Sequence, residues 1–158
     1  MKEVVTFFLS GKEYGAEVNW MQGLENFREM SSAADMPECF LGLVSVRDEI
    51  IPVLDIRKKL ILPPVPVTED TKYIVLRMKQ GKLAFIVDGV SQILQADGSE
   101  VQDFPALLQT KSTSYVDFVV NHNGHLILVI NPEGLVTDEE WQKIQKVLES
   151  RSEEQDSE

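Results

Sequence analysis

The strongest constraint in this chain is a dipeptide. Asn123-Gly124 sits between two runs of β-forming residues, Tyr115 to His122 and His125 to Ile130. Asn-Gly readily takes the two positive φ angles of a type I′ turn, whose twist matches that of paired strands, so the two runs read as a β-hairpin. The pattern recurs. Val4–Leu9 and Tyr14–Val18 flank Ser10-Gly11, Leu41–Val46 and Ile50–Ile56 flank Arg47-Asp48-Glu49, and Tyr73–Lys79 and Leu83–Val87 flank Gln80-Gly81. Repeated hairpins without long crossover helices predict a mostly β sandwich or barrel and argue against a parallel α/β sheet.

Between the second and third hairpins lies Leu62-Pro63-Pro64-Val65-Pro66-Val67, stiff and short of backbone donors. The expectation is a linker, near residues 62–70, joining two halves that each hold their own hairpins. Two helices are predicted. Thr137 and Glu140 form a Thr-x-x-Glu capping box, followed by Trp141, Ile144, Val147 and Leu148 at helical spacing, which places a helix at about 137–149 covering a barrel end. A short second helix is expected between Asn26 and Ala34. Residues 149–158 carry five acids and one arginine and read as a solvated, disordered tail, leaving 1–148 as one folded domain.

The 158 residues are 43% hydrophobic, enough for a core, and carry a formal net charge of −11. That charge disfavours nucleic acid and anionic membrane surfaces as partners. Cys39 is the single cysteine, so no internal disulfide forms, in keeping with a reducing cytoplasm. The opening apolar run, Val4–Leu9, is too short for a signal peptide, and no stretch has the length of a bilayer span, so direct membrane insertion is not expected.

Catalytic chemistry has little support. His122 and His125 straddle a turn without metal-ligand spacing, and Cys39 reads as a small apolar side chain. No glycine-rich phosphate loop is present. Asp55 and Asp88 each end an apolar run; a strand-end aspartate more often caps a helix or turn, and Asp55 before Arg57-Lys58-Lys59-Leu60 suits a helix cap. The expectation is a protein without enzymatic activity or cofactors.

The stretch Phe40-Leu41-Gly42-Leu43-Val44-Ser45-Val46-Arg47-Asp48-Glu49-Ile50-Ile51-Pro52-Val53-Leu54-Asp55-Ile56-Arg57 resembles the signature of the CheW family, usually Gly-Val-Ile-Asn-Leu-Arg-Gly-x-Ile-x-Pro-Val-x-Asp-Leu-Arg. Tyr14-Gly15, Ala84-Phe85-Ile86-Val87-Asp88-Gly89-Val90 and Leu126 to Asn131 resemble further family segments in order, over about residues 3–148. The resemblance implies two packed SH3-like five-stranded β-barrels with a C-terminal helix. It also implies a cytoplasmic adaptor that couples the cytoplasmic tip of a chemoreceptor to the regulatory domain of a CheA-type histidine kinase.

Carried over residue by residue, the resemblance places Gly42 and Arg47 in the receptor-facing region, with Met21, Val87 and Val90 lining the groove. Gly42 would let a helix approach, and Arg47 would offer its planar fork of donors. Val18, Leu24 and Leu54 become candidates for the kinase contact or the core beneath it. For Arg47 the plain alternative is a solvated turn residue, and for Val87 and Val90 it is core. The chain departs from the family pattern at Gly23, Ser45, Asp48 and Asn131, which points to a divergent member. Two alternatives follow: a scaffold in a pathway of gliding, pili or development, or a small β-barrel ligand-binding protein or enzyme using Asp55, Asp88 and the histidines.

Overall fold

The computed structural model describes residues 1–108 and 115–156. Eleven strands are seen among them: β1 (Lys2–Leu9), β2 (Lys12–Glu17), β3 (Met21–Asn26), β4 (Phe40–Val46), β5 (Glu49–Leu54), β6 (Lys72–Met78), β7 (Gly81–Val87), β8 (Gly89–Ala96), β9 (Val101–Asp103), β10 (Val116–His122) and β11 (His125–Ile130). Helix α1 (Ile56–Leu60) follows β5, and α2 (Asp138–Asp156) ends the chain. The mostly β expectation holds, and all four hairpins form.

Three turns confirm how local the hairpin code is. Ser10 and Gly11 have φ of 51° and 83°, Asn123 and Gly124 have 54° and 80°, and Arg47 and Asp48 have 50° and 67°. The last pair adopts the positive-φ geometry without glycine, which Asp tolerates better than most residues and Arg does only under the pull of the flanking ladder.

The strands form two sheets, ordered β8-β1-β2-β11-β10-β9 and β3-β6-β7-β5-β4. This corrects the expected linker. The proline-rich segment joins α1 to β6, so both its ends belong to the five-stranded sheet. The six-stranded sheet is assembled from the two chain ends: β1 pairs with β8, and β2 lies parallel to β11 through Tyr14↔Leu128 and Gly15↔Val129. The ladders are also open, so two closed five-stranded barrels are not what the strand order gives. Among the described residues β3 and β4 do not pair; the β4 edge is bridged instead at Ser31↔Leu43, by the segment that follows β3.

Apolar runs explain why the sheets stack. Along β6, Tyr73 and Val75 enter one cluster while Ile74 and Leu76 enter another, and along β7 Ala84 and Ile86 alternate with Phe85 and Val87 in the same way. A strand apolar on both faces must be covered on both. One face closes inside the five-stranded sheet. The other meets Val5, Phe7, Leu9, Tyr14 and Ala16 of the six-stranded sheet in a shared core, completed by Trp141 and Ile144 of α2. The six-stranded sheet encloses a third cluster around Val4, Phe118, Val120 and Ile127.

No helix forms between Asn26 and Ala34. Phe27 stacks on Tyr73 with ring centroids 5.6 Å apart, and the Tyr73 hydroxyl donates to the Arg28 carbonyl at 2.7 Å. Ser31 donates to and accepts from Leu43, both at 2.8 Å. The backbone groups a helix would need are spent on β4 and β6, and the segment becomes an extended strap. Burial, with the nearby charge of Glu29, pushes the Tyr73 hydroxyl up to about 12.

Helix α2 begins on the expected capping box, with Thr137 N–H donating to Glu140 Oε1 (3.0 Å) and Glu140 N–H to Thr137 Oγ1 (3.1 Å). It runs to Asp156, past the expected end, so most of the acid-rich segment taken for a disordered tail is helical. Glu140 also accepts from Lys59 at 2.7 Å, tying α2 to α1. Burial opposes its charge, but the bonds from Lys59 and Thr137 outweigh this and hold its carboxyl below the usual range. A depressed folded pKa stabilises the fold above the unfolded value near 4.5 and loses that stability as pH falls through the folded value. Glu140→Gln should therefore flatten the acid side of the stability profile below about pH 5, read from urea midpoints between pH 3 and 7.

Asp55 caps α1 as expected, accepting from Arg57 N–H at 3.1 Å. The other end is strained: Ile61, β-branched, sits in the left-handed region (φ 58°, ψ 50°) with 74% of its surface exposed. Glycine prefers this C-terminal position because it has no Cβ to crowd the carbonyl. Ile61→Gly should raise stability by about 0.5–1 kcal/mol, the left-handed penalty less glycine's added unfolded-state entropy. An unchanged or lower melting temperature would refute that.

Candidate functional site

Two places concentrate polar groups: a buried cluster where the sheets meet, and the rim of the five-stranded sheet. In the cluster, Arg57 is 7% exposed at its side chain. Its Nε donates to Asp55 Oδ1 at 3.1 Å, and its Nη1 donates to Asp88 Oδ1 at 2.9 Å and to the Val65 carbonyl at 3.3 Å. Asp88 Oδ2 accepts the Ser10 N–H at 2.7 Å. One guanidinium thus joins α1, the proline-rich segment, the β7–β8 junction and the β1–β2 turn.

This cluster decides how Asp55 and Asp88 are read. They are brought together, as acid–base work requires, but Arg57 lies between them and their remaining bonds go to backbone N–H groups. Neither lines a cavity described below. They are a structural clamp. Sequence reading found the Asp55 cap and missed Arg57 as the keystone, because the residue spacing 55, 57, 88 carries no signal that three loops converge.

Cys39 is half-buried against the shared core, and burial pushes its thiol up, so it is a poor nucleophile. His122 and His125 face Glu100 and Glu13 at 3.7 Å and 3.3 Å. They stand beside a turn, apart from one another's partners.

At the rim, the β4–β5 turn leans across to β3. Arg47, 87% exposed at its side chain, places Nε 3.6 Å from Glu25 Oε1. Arg28 bonds both Glu25 (3.4 Å) and the Ser45 carbonyl (3.0 Å). Lys82 pairs with Glu49 at 2.6 Å. Glu25, Arg47, Glu49 and Lys82 border, with Gly23, a small mouth of about 80 Å³. A Cβ on Gly23 would meet nothing within 4 Å, so a side chain fits there without rearrangement. Leu24, beside Gly23, is 44% exposed. Arg47 takes its counter-charge from Glu25 across the turn rather than from Asp48.

The other sequence candidates divide by burial. Val18, Met21 and Val90 are half-buried on the margin of the shared core. Val87 and Leu54 are wholly inside it, so neither can touch a partner directly; both belong to strands covered on both faces. Gly42 is buried too. A Cβ built on it would lie 2.6 Å from the Ser31 carbonyl oxygen, so the close approach this glycine permits is made by the chain's own strap.

The two sheets are thus pinned by a buried ion cluster, and the Arg47 pair lies exposed on the rim. The chain belongs to the CheW-like domain family, whose model matches residues 3–140. It is 26% identical over 149 residues to the chemotaxis protein CheW of Klebsiella aerogenes, covering 94% of this chain and 90% of that protein. To the chemotaxis protein CheW of Bacillus subtilis it is 23% identical over 141 residues, covering 89% and 90%. The crystal structure of the scaffolding protein TtCheW from Thermoanaerobacter tengcongensis superposes with a TM-score of 0.79 at 22% identity, covering 88% of this chain and 94% of that one. That likeness establishes the shared fold.

Proposed function

We propose that this chain is a non-enzymatic coupling scaffold of a chemotaxis array, working in the cytoplasm between the tip of a chemoreceptor and the regulatory domain of a CheA-type histidine kinase. The observation that carries this reading is the family match over residues 3–140, together with relatives named as chemotaxis proteins over nearly their whole length. We read each curled sheet as the counterpart of an SH3-like barrel, since each encloses an apolar cluster of its own.

Arg47 is the receptor-facing cation, held near Glu25 until a carboxylate or carbonyl replaces that weak, solvent-screened pair. Met21 and Val90 supply apolar surface at the groove margin, and half-buried Val18 with the more exposed Leu24 are the residues for the kinase. Gly42, Val87 and Leu54 act from beneath by setting the strap and the core.

The test is calorimetry against the regulatory domain of a CheA-type kinase from the same organism. Binding at a micromolar dissociation constant, about −8 kcal/mol, suits an array that assembles and remodels. No heat at about 100-fold higher concentration would sink the reading. Arg47→Glu should weaken receptor coupling about tenfold while shifting the melting temperature by less than about 2 °C, as expected of an exposed residue. If it melts the fold instead, Arg47 is structural.

A further inference from the structure

A second surface lies away from the rim, where the strap passes α2. A groove of about 850 Å³ runs between residues 32–36 and the outer flank of the helix. Its two walls are held together, since Arg151 Nη2 donates to the Ser32 carbonyl at 2.6 Å.

The charge of this groove is opposite to that of the chain. Among the described residues, Lys143, Lys146 and Arg151 line it against the one carboxylate of Asp35, in a protein of formal net charge −11. Among the described residues, neither Lys143 nor Lys146 has an ion-pair partner. The groove also holds apolar surface. Val147 has the spacing of the core stripe with Trp141, Ile144 and Leu148, yet it lines the groove and is absent from the shared core that takes the other three. Ala33, Ala34 and Met36 face it from the strap.

We infer that this groove docks an acidic, amphipathic segment of a partner protein, with glutamate or aspartate carboxylates on Lys143 and Lys146 and an apolar side chain against Val147. The chemistry selects a protein segment over other polyanions. The groove offers an apolar floor between its cations, as helix-in-groove recognition requires. A bilayer or a nucleic acid would bring a far larger negative surface against the acidic remainder of the chain. The inference does not depend on the coupling role, because the groove and the Arg47 rim are lined by different residues.

The test uses the full chain and a fluorescein-labelled peptide of Glu, Leu and Ala repeats about three helical turns long, beside a control with Gln for every Glu. The expected result is saturable binding of the Glu peptide alone, weakened by salt, with amide shifts at Lys143, Lys146, Val147 and residues 33–35. Lys143→Glu combined with Lys146→Glu should weaken it at least about tenfold. The neutral pair Lys143→Gln and Lys146→Gln should give an intermediate loss, and serves where charge reversal disturbs the fold. No saturation below about 1 mM, shifts mapping elsewhere, or unchanged affinity in the double variants would overturn the inference. So would equal or tighter binding of phosphatidylserine vesicles or a single-stranded RNA.

Discussion

Replacing Arg57 with methionine is expected to destabilise the protein by about 3–5 kcal/mol, the usual cost of removing one partner from a buried ion cluster. The reason is the pair left behind. Asp55 and Asp88 are 8% and 18% exposed at their side chains and lose their shared cation at once. Each keeps backbone N–H bonds, from Arg57 itself and from Ser10, but those were set by the same arrangement. For a chain of this length the melting temperature should fall by about 10 °C or more. The loss is a pairing effect rather than a packing one. Adding Asp55→Asn and Asp88→Asn to Arg57→Met should therefore recover part of it, because a buried ion pair replaced by neutral groups is often close to neutral in stability. Thermal and urea unfolding would check both. A drop under about 3 °C for the single variant would mean that the cluster is hydrated and weak.

The fold was legible in the sequence wherever it is local. Every hairpin with a positive-φ turn was read, because the turn residues and the flanking apolar runs sit within about ten positions of each other. The capping box of α2 and the Asp55 cap were read for the same reason. The unread features are those that need a distant partner. β3 carries Gln22, Gly23, Glu25 and Asn26, poor strand formers that hold their place through β6 alone. The strap looked helical because nothing in Asn26–Ala34 announces that Tyr73 and Leu43 will take its backbone groups. The proline-rich segment looked like a boundary between halves because composition cannot show that β1 pairs with β8.

The candidate site was legible in kind and misread in depth. The family resemblance pointed at eight residues, and three of them are buried. Val87 and Leu54 lie in runs apolar at consecutive positions, Leu83–Val87 and Ile51–Leu54, and such runs mark strands covered on both faces. That signal was available and favoured the plain core reading. For Gly42 no local signal exists, since what covers it comes from the strap.

Gly42→Ala should therefore act through the strap. A methyl group 2.6 Å from the Ser31 oxygen cannot be accommodated without moving the strap off β4, and both hydrogen bonds between Ser31 and Leu43 are lost with it. We expect a cost of about 2 kcal/mol, one lost bond at about 1 kcal/mol each way, confined to this edge. Amide exchange at Ser31 and Leu43 should accelerate about thirtyfold, while amides in β6 and β7 stay protected. Ser31→Pro removes one of the same bonds without touching Gly42, and should reproduce the effect in part. Measured beside receptor coupling, the two variants separate the roles of this glycine. If both weaken coupling in proportion to their exchange rates, the strap is the element that presents the receptor surface. Coupling lost in Gly42→Ala with Ser31 and Leu43 still protected would mean that the glycine meets the partner itself, and that the strap swings away when it does.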